Sequence, residues 1–166
     1  GPEVDWDEAR LHLPMSEVIE KYDGPTGPYN DYILQGPGGP DWRSSGLMHQ
    51  GEDYFVPTLW FGSWYDISVA PNLAIYNDIR NNASDEAVRE SQYLVVGPQG
   101  HCGFSSALEK TSLMVGEVDM GDPSFPLDET IYDFLDYYVK GIDNGFADRT
   151  PKVQYYETGV NQWRQA

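Results

Sequence analysis

Cationic side chains are scarce in this 166-residue chain: 10 Lys and Arg stand against 27 Asp and Glu, which gives a formal net charge of -17. A surface with this excess of negative charge repels phosphate backbones and anionic lipid headgroups. We therefore expect no nucleic-acid partner. The acidity fits either adaptation to salty surroundings or an ordinary solvated surface, and we favour the second interpretation.

Cysteine is nearly absent, since Cys102 is the one residue of its kind. It cannot form an internal disulfide, and no Cys and His spacing typical of zinc sites occurs, so we expect no metal and no cofactor. The chain also lacks a run of about eighteen apolar residues and a basic region followed by an apolar segment, so we expect neither a membrane span nor a signal peptide in it. The compartment stays open, with secreted and periplasmic locations among the alternatives.

Apolar material is plentiful, with 40% hydrophobic and 14% aromatic residues. This is enough for the packed core of a globular domain. The aromatic content exceeds what a small core needs, which indicates that some rings line a pocket or pack against neighbouring protein.

Three apolar patterns predict a strand, a helix and a second strand. Residues 56–61 form a short apolar run that ends at Gly62, and residues 92–96 form another that ends at Gly97 and Pro98. Both runs are typical of buried strands, and the helical pattern between them starts near Pro71. Together they predict one βαβ crossover of a parallel sheet.

Other segments are simpler. Residues 14–21 predict a short helix with Ser16 as its N-cap, and residues 36–40, rich in Gly and Pro, predict a loop. Apolar residues at helical spacing predict a third helix that begins at 126–128 and ends before Gly141. The β-prone run at 150–156 predicts a strand that opens a different structural unit.

Asp66 and His101 each follow one of the two predicted strands. Ligands of parallel α/β sheets gather at the carboxyl ends of the strands, so the two side chains are expected to meet there. A carboxylate on the Nδ1 side of a histidine is what a Ser-His-Asp triad requires. From spacing alone a structural histidine remains the commoner alternative.

Two motifs carry a resemblance to a known family. Residues 56–66, VPTLWFGSWYD, resemble the acid-bearing strand and loop of the cocaine-esterase-like and X-prolyl dipeptidyl-peptidase family of α/β-hydrolases. Residues 94–101, LVVGPQGH, resemble that family's Val-Gly-Pro-Trp-x-His segment, with Gln99 where Trp is usual. Asp66 and His101 fall on the triad positions.

Three further segments resemble parts of the same family and occur in the family's order. Residues 134–141 resemble the family's Trp-Phe-Asp-x-x-Leu-Lys-Gly helix end, residues 151–164 the entry into its jelly roll, and residues 13–42 the end of its helical cap. The resemblance implies an α/β fold that is a partial α/β-hydrolase. Its expected parts are the end of the cap and a linker at 1–50, the last strands and helices of a parallel sheet at 51–148, and the first jelly-roll strand at 149–166.

The resemblance also implies a function. The expected protein is a serine hydrolase that cleaves carboxylic ester or amide bonds, acyl or X-prolyl, through an acyl-enzyme. Asp66 and His101 would be the acid and base, and the side chains expected to shape the substrate pocket are Trp64, Tyr65, Ile67 and Ser68.

The nucleophile is expected outside this chain. In α/β-hydrolases the serine precedes the acid and the histidine, so it would lie upstream of Gly1, and the chain alone would be inactive. Ser63 lacks the second glycine of a nucleophile elbow, and Cys102 is disfavoured as a nucleophile because adjacent side chains on a loop usually diverge. The completing part would be the N-terminal portion of the same protein or a separate chain.

The alternative is a noncatalytic binding or assembly module. In that case a partner chain would cover the exposed edge of the sheet and its aromatic residues. The oligomeric state stays open, with a homo-oligomer among the alternatives.

Overall fold

The structure is a computed structural model that describes residues 4–25, 27–35, 39 and 52–166. The chain divides into two compact units, Gly1–His49 and Gln50–Ala166. This division lies beside the boundary predicted after residue 50. The predicted loop at 36–40 lies outside the described residues except for Gly39.

The first unit holds short helices. Asp5 caps the first of them, because its carboxylate accepts hydrogen bonds from the backbone N–H groups of Asp7 and Glu8. The helix predicted over 14–21 occurs as a 3-10 turn that continues into an α-helix, and Ser16 lies inside the turn instead of capping it. The elements are α1 (Trp6–Ala9), the turn Met15–Glu17, α2 (Val18–Lys21) and α3 (Pro28–Leu34).

The second unit is a mixed α/β fold. Its elements are β1 (Thr58–Tyr65), α4 (Val69–Asn82), α5 (Glu86–Glu90), β2 (Gln92–Gly100), α6 (Phe104–Leu108), β3 (Met114–Val115), β4 (Val118–Asp119), α7 (Leu127–Tyr138), α8 (Phe146–Arg149), β5 (Val153–Glu157) and β6 (Gln162–Gln165). Four strands form a mostly parallel sheet in the order β1-β2-β5-β6, and β3 and β4 form a small hairpin. No helix within the described ranges is long and apolar enough to cross a membrane.

The unit β1-α4-β2 is the predicted parallel crossover. β1 and β2 pair in register from Thr58 opposite Gln92 to Ser63 opposite Gly97. Both strands continue past the glycines that were predicted to end them, β1 to Tyr65 and β2 to Gly100. Pairing overrides the local preference of glycine, because each strand supplies hydrogen-bond partners for the backbone of the other.

β5 joins the same sheet. It pairs parallel to β2, with Leu94 opposite Val153 and Val96 opposite Tyr155, and antiparallel to β6. The stretch 149–166 therefore extends the sheet of the second unit, whereas the sequence predicted the opening of a different unit. Strand propensity identifies a strand but not the strand with which it pairs.

Helices cover both faces of the sheet. On one face Leu94 and Val96 pack with Tyr76 of α4. On the other face Tyr93 packs with Phe134 of α7 and Phe146 of α8. The alternation along β2 follows from the two-residue period of a strand, and burial on both faces explains why the whole run is apolar. α7, which begins at Leu127, confirms the helix that the sequence predicts to begin at 126–128 and to end before Gly141.

Phe134 is the residue of α7 that anchors the second face. Its ring centroid lies 6.3 Å from that of Tyr93 and 5.7 Å from that of Phe146. We expect Phe134→Ala to lower the free energy of unfolding by about 3–5 kcal/mol, because it leaves a cavity in this cluster. Urea denaturation measures the change. Tyr132→Ala on the same helix, where the residue is 66% exposed, should change it by less than about 0.5 kcal/mol, and equal losses in the two variants would contradict the packing described.

Candidate active site

Asp66 and His101 lie side by side at the carboxyl edge of the sheet. They directly follow β1 and β2, whose parallel pairing brings together two residues 35 positions apart. Nδ1 of His101 lies 3.0 Å from Oδ2 of Asp66. The Asp66 side chain is 13% exposed and that of His101 61%, so the carboxylate is largely covered while the imidazole is open to solvent.

The second carboxylate oxygen of Asp66 has its own donors. Oδ1 accepts hydrogen bonds from the backbone N–H and from the hydroxyl of Ser68, each at 2.8 Å. These two bonds, and then the bond to His101, hold the pKa of Asp66 below its ordinary value. Asp66 is therefore a carboxylate at neutral pH. It accepts a hydrogen bond from the Nδ1–H group of His101, and the proton stays on the nitrogen.

A tight turn places Asp66 between β1 and α4. The Asp66 N–H donates to the Ser63 carbonyl at 3.1 Å, and the Val69 N–H donates to the Asp66 carbonyl at 3.2 Å. α4 begins at Val69, so the carboxylate lies beside the amino end of a helix, where the helix dipole favours negative charge.

A second turn places His101. The Gly103 N–H donates to the Gly100 carbonyl at 3.2 Å, and between them Cys102 has a φ of 57°, in the left-handed region that non-glycine residues rarely adopt. The thiol is exposed, and within the described ranges no hydrogen bond joins it to His101. Cys102 acts here as a turn residue.

Gln99, where the resemblance places an aromatic residue, is buried. It is 2% exposed, and its Nε2 donates to the hydroxyl of Ser63 at 2.9 Å. A Cβ on Gly97 would lie 2.4 Å from Oε1 of Gln99, so the missing side chain at position 97 makes room for the amide. This bond ties β1 to β2 just before the two turns, and sequence reasoning missed it because the pairing of Ser63 with Gly97 is a tertiary feature.

The four predicted pocket residues divide into three kinds. Trp64 donates its indole N–H to the carbonyl of Tyr156 at 2.7 Å and so braces the end of β1 against β5. Tyr65 and Ile67 are exposed. Ser68 holds the Asp66 carboxylate, a contact that the pocket prediction did not include.

A groove of about 440 Å³ lies elsewhere in the second unit. Phe125 and Trp163 line it together with the ion pair between Arg149 and Asp133. Neither Asp66 nor His101 is among its lining residues, so the groove is separate from this pair, which we call the dyad.

His12, the other histidine among the described residues, does not form a comparable pair. Nδ1 of His12 lies 3.2 Å from Nζ of Lys21, and Nε2 lies 3.8 Å from a carboxylate oxygen of Glu17. His49 lies outside the described residues. Across the part of the chain that the structure describes, no group of three or more His, Cys, Asp or Glu side chains is placed to hold a metal ion.

No protein-family model matches the chain, and no curated protein matches its sequence. The interpretation of the site therefore depends on its geometry and on the motifs quoted above.

The Gln99–Ser63 bond leads to a stability prediction. Ser63→Ala leaves Nε2 of Gln99 without its acceptor in a buried position, where Oε1 already has no partner among the described residues. We expect a loss of about 1–3 kcal/mol in the free energy of unfolding, measured by urea denaturation. Ser106→Ala is the control, because the Ser106 hydroxyl is exposed and donates to the Gly103 carbonyl at 3.3 Å. It should lower the free energy of unfolding by less than about 0.5 kcal/mol. An unchanged free energy of unfolding in Ser63→Ala would show that the Gln99–Ser63 bond does not stabilise the fold.

The carboxylate of Asp66 gives a pH prediction. Because its pKa is lowered in the folded chain, the stabilisation from its hydrogen bonds is complete above the ordinary pKa of Asp and is lost as the pH falls through the lowered value. NMR titration of the Asp66 carboxyl carbon should give a midpoint below about 3.9, the ordinary value. A midpoint at or above that value would contradict the hydrogen bonding described.

Proposed function

We propose that this chain supplies the acid and the base of a Ser-His-Asp triad to a serine hydrolase of the α/β-hydrolase fold. The observation that carries the proposal is the 3.0 Å approach of Nδ1 of His101 to Oδ2 of Asp66 at the carboxyl edge of two parallel strands. Catalytic groups of such sheets gather at this edge, and a triad requires a carboxylate on the Nδ1 side of the histidine, as found here.

The proposed roles follow from the two ring nitrogens of His101. Nδ1 faces Asp66, which favours the tautomer that carries its proton there and leaves Nε2 as the basic nitrogen. Nε2 takes the proton of the serine hydroxyl while the serine oxygen attacks the carbonyl carbon of the substrate. The resulting imidazolium gives that proton to the departing alcohol or amine, and its charge is balanced by the ionised Asp66. Water then cleaves the acyl-enzyme by the same proton transfers.

The nucleophile in this proposal comes from outside residues 1–166, from an N-terminal portion of the protein or from a complementing chain, and so do the oxyanion-hole donors. The two serines nearest to Asp66 in sequence are engaged otherwise. Ser63 is 3% exposed and accepts from Gln99, and the hydroxyl of Ser68 donates to Asp66. On this view the chain alone turns over no substrate.

The proposed substrates are carboxylic esters or amides, of the acyl or X-prolyl type. This class comes from the motif resemblance, whose members share acyl transfer to serine. The exposed rings of Trp64 and Tyr65 lie at the end of β1, directly before Asp66, where an apolar acyl or prolyl group is expected to bind.

A binding or assembly module is the second candidate function. One observation favours it: β1 is an edge strand of the described sheet, with β2 as its neighbour there. An edge strand offers backbone hydrogen bonds to another chain.

The experiment treats the complete gene product with a fluorophosphonate probe and a p-nitrophenyl ester. Asp66→Asn should lower turnover by about 10⁴-fold, because an amide stabilises the wrong tautomer of the histidine. Asp122→Asn is the matched control, since Asp122 also accepts from a serine two residues later but has no histidine partner among the described residues. The control should keep full turnover.

Two outcomes would reject the proposed hydrolase. One is the absence of probe labelling in the complete protein, which would favour the binding module. The other is full turnover after His101→Ala, which would remove the base from the mechanism.

A further inference from the structure

Ser68 contributes two donors to one atom. Its backbone N–H and its hydroxyl both lie 2.8 Å from Oδ1 of Asp66, while Oδ2 of the same carboxylate lies 3.0 Å from Nδ1 of His101. A carboxylate rotates about a single bond, so fixing one oxygen also fixes the direction in which the other oxygen faces.

We infer that Ser68 is a positioning residue of the dyad. It holds Oδ1 of Asp66 so that Oδ2 faces His101. The inference rests on the proposed function, in which the Asp66–His101 bond sets the tautomer of the base. It also replaces the predicted role of Ser68 in the substrate pocket.

A simple helix-capping role does not explain the hydroxyl. Ser68 stands at the N-cap position of α4, where a serine oxygen usually accepts a hydrogen bond from the N–H two or three residues later. Here the side chain makes no such capping bond, although the Ser68 carbonyl accepts from the Asn72 N–H at 3.1 Å. The hydroxyl is directed to Asp66 instead.

A pocket role fits poorly for a related reason. The hydroxyl proton of Ser68 is given to an ionised carboxylate, and a hydrogen bond to a charged acceptor is stronger than one to a neutral substrate group. A substrate would have to displace that bond before it could accept from Ser68.

A second aspartate accepts hydrogen bonds from a serine two residues later, and no histidine among the described residues contacts it. The N–H of Ser124 donates to Oδ1 of Asp122 at 2.9 Å, and hydrogen bonds from Ser124 hold the pKa of Asp122 below its ordinary value. Ser124 is therefore a matched control, which separates the effect of such hydrogen bonds on the carboxylate from an effect on His101.

The test compares Ser68→Ala, Ser68→Thr and Ser124→Ala. Nitrogen-15 NMR of the His101 ring in its neutral form reports which nitrogen carries the proton. We expect Ser68→Ala to raise the fraction protonated at Nε2, Ser68→Thr to restore the original fraction because it keeps the hydroxyl, and Ser124→Ala to leave it unchanged. In the complete protein, Ser68→Ala should lower kcat for the p-nitrophenyl ester about tenfold with KM unchanged.

An unchanged tautomer in Ser68→Ala would overturn the inference, and so would a raised KM with kcat retained, which is the result for a pocket contact. The NMR measurement needs no turnover, so the two proposals fail separately. A tautomer shift in a protein that the fluorophosphonate does not label supports the positioning role and rejects the hydrolase. Labelling with no tautomer shift supports the hydrolase and rejects the positioning role of Ser68.

Discussion

The parallel pairing of β1 with β2 sets the path of the chain through the second unit and brings the two residues of the candidate site together. Parallel strands require a crossover, and α4 supplies it by packing Tyr76 onto Leu94 and Val96. The crossover returns the chain to the same edge of the sheet, so that the loops after both strands meet there. The contact between Asp66 and His101 is a consequence of this topology and not of any local preference of either loop.

At that edge, local hydrogen bonds outweigh the charge of the whole chain. A net charge of -17 would by itself raise the pKa of an aspartate, since each further negative charge is repelled. The pKa of Asp66 is nevertheless lowered, because two donors on Ser68 and one on His101 contact the carboxylate directly. Exposed charges farther away are screened by salt within about 10 Å. The carboxylate therefore stays ionised in an acidic protein.

The dyad is also coupled to the remainder of the sheet. Gln99 bonds to Ser63 across β1 and β2, and Trp64 bonds to the carbonyl of Tyr156 on β5. Each bond involves a side chain that lies within three residues of Asp66 or His101 in sequence. They restrict the strand ends from which the two turns leave, as expected for a site whose geometry depends on neighbouring groups that are themselves fixed.

Local sequence patterns predict two buried strands around a helix, the helix α7, and the positions of Asp66 and His101 just after strand ends. Periodicity and turn residues encode these features within a few neighbours. Contacts between distant residues set how far the strands run past Gly62 and Gly97, the pairing of β5 with β2, and the oxygen of Asp66 that the Ser68 hydroxyl contacts. These outcomes depend on hydrogen-bond partners and space supplied by other elements, and a local pattern carries no record of them.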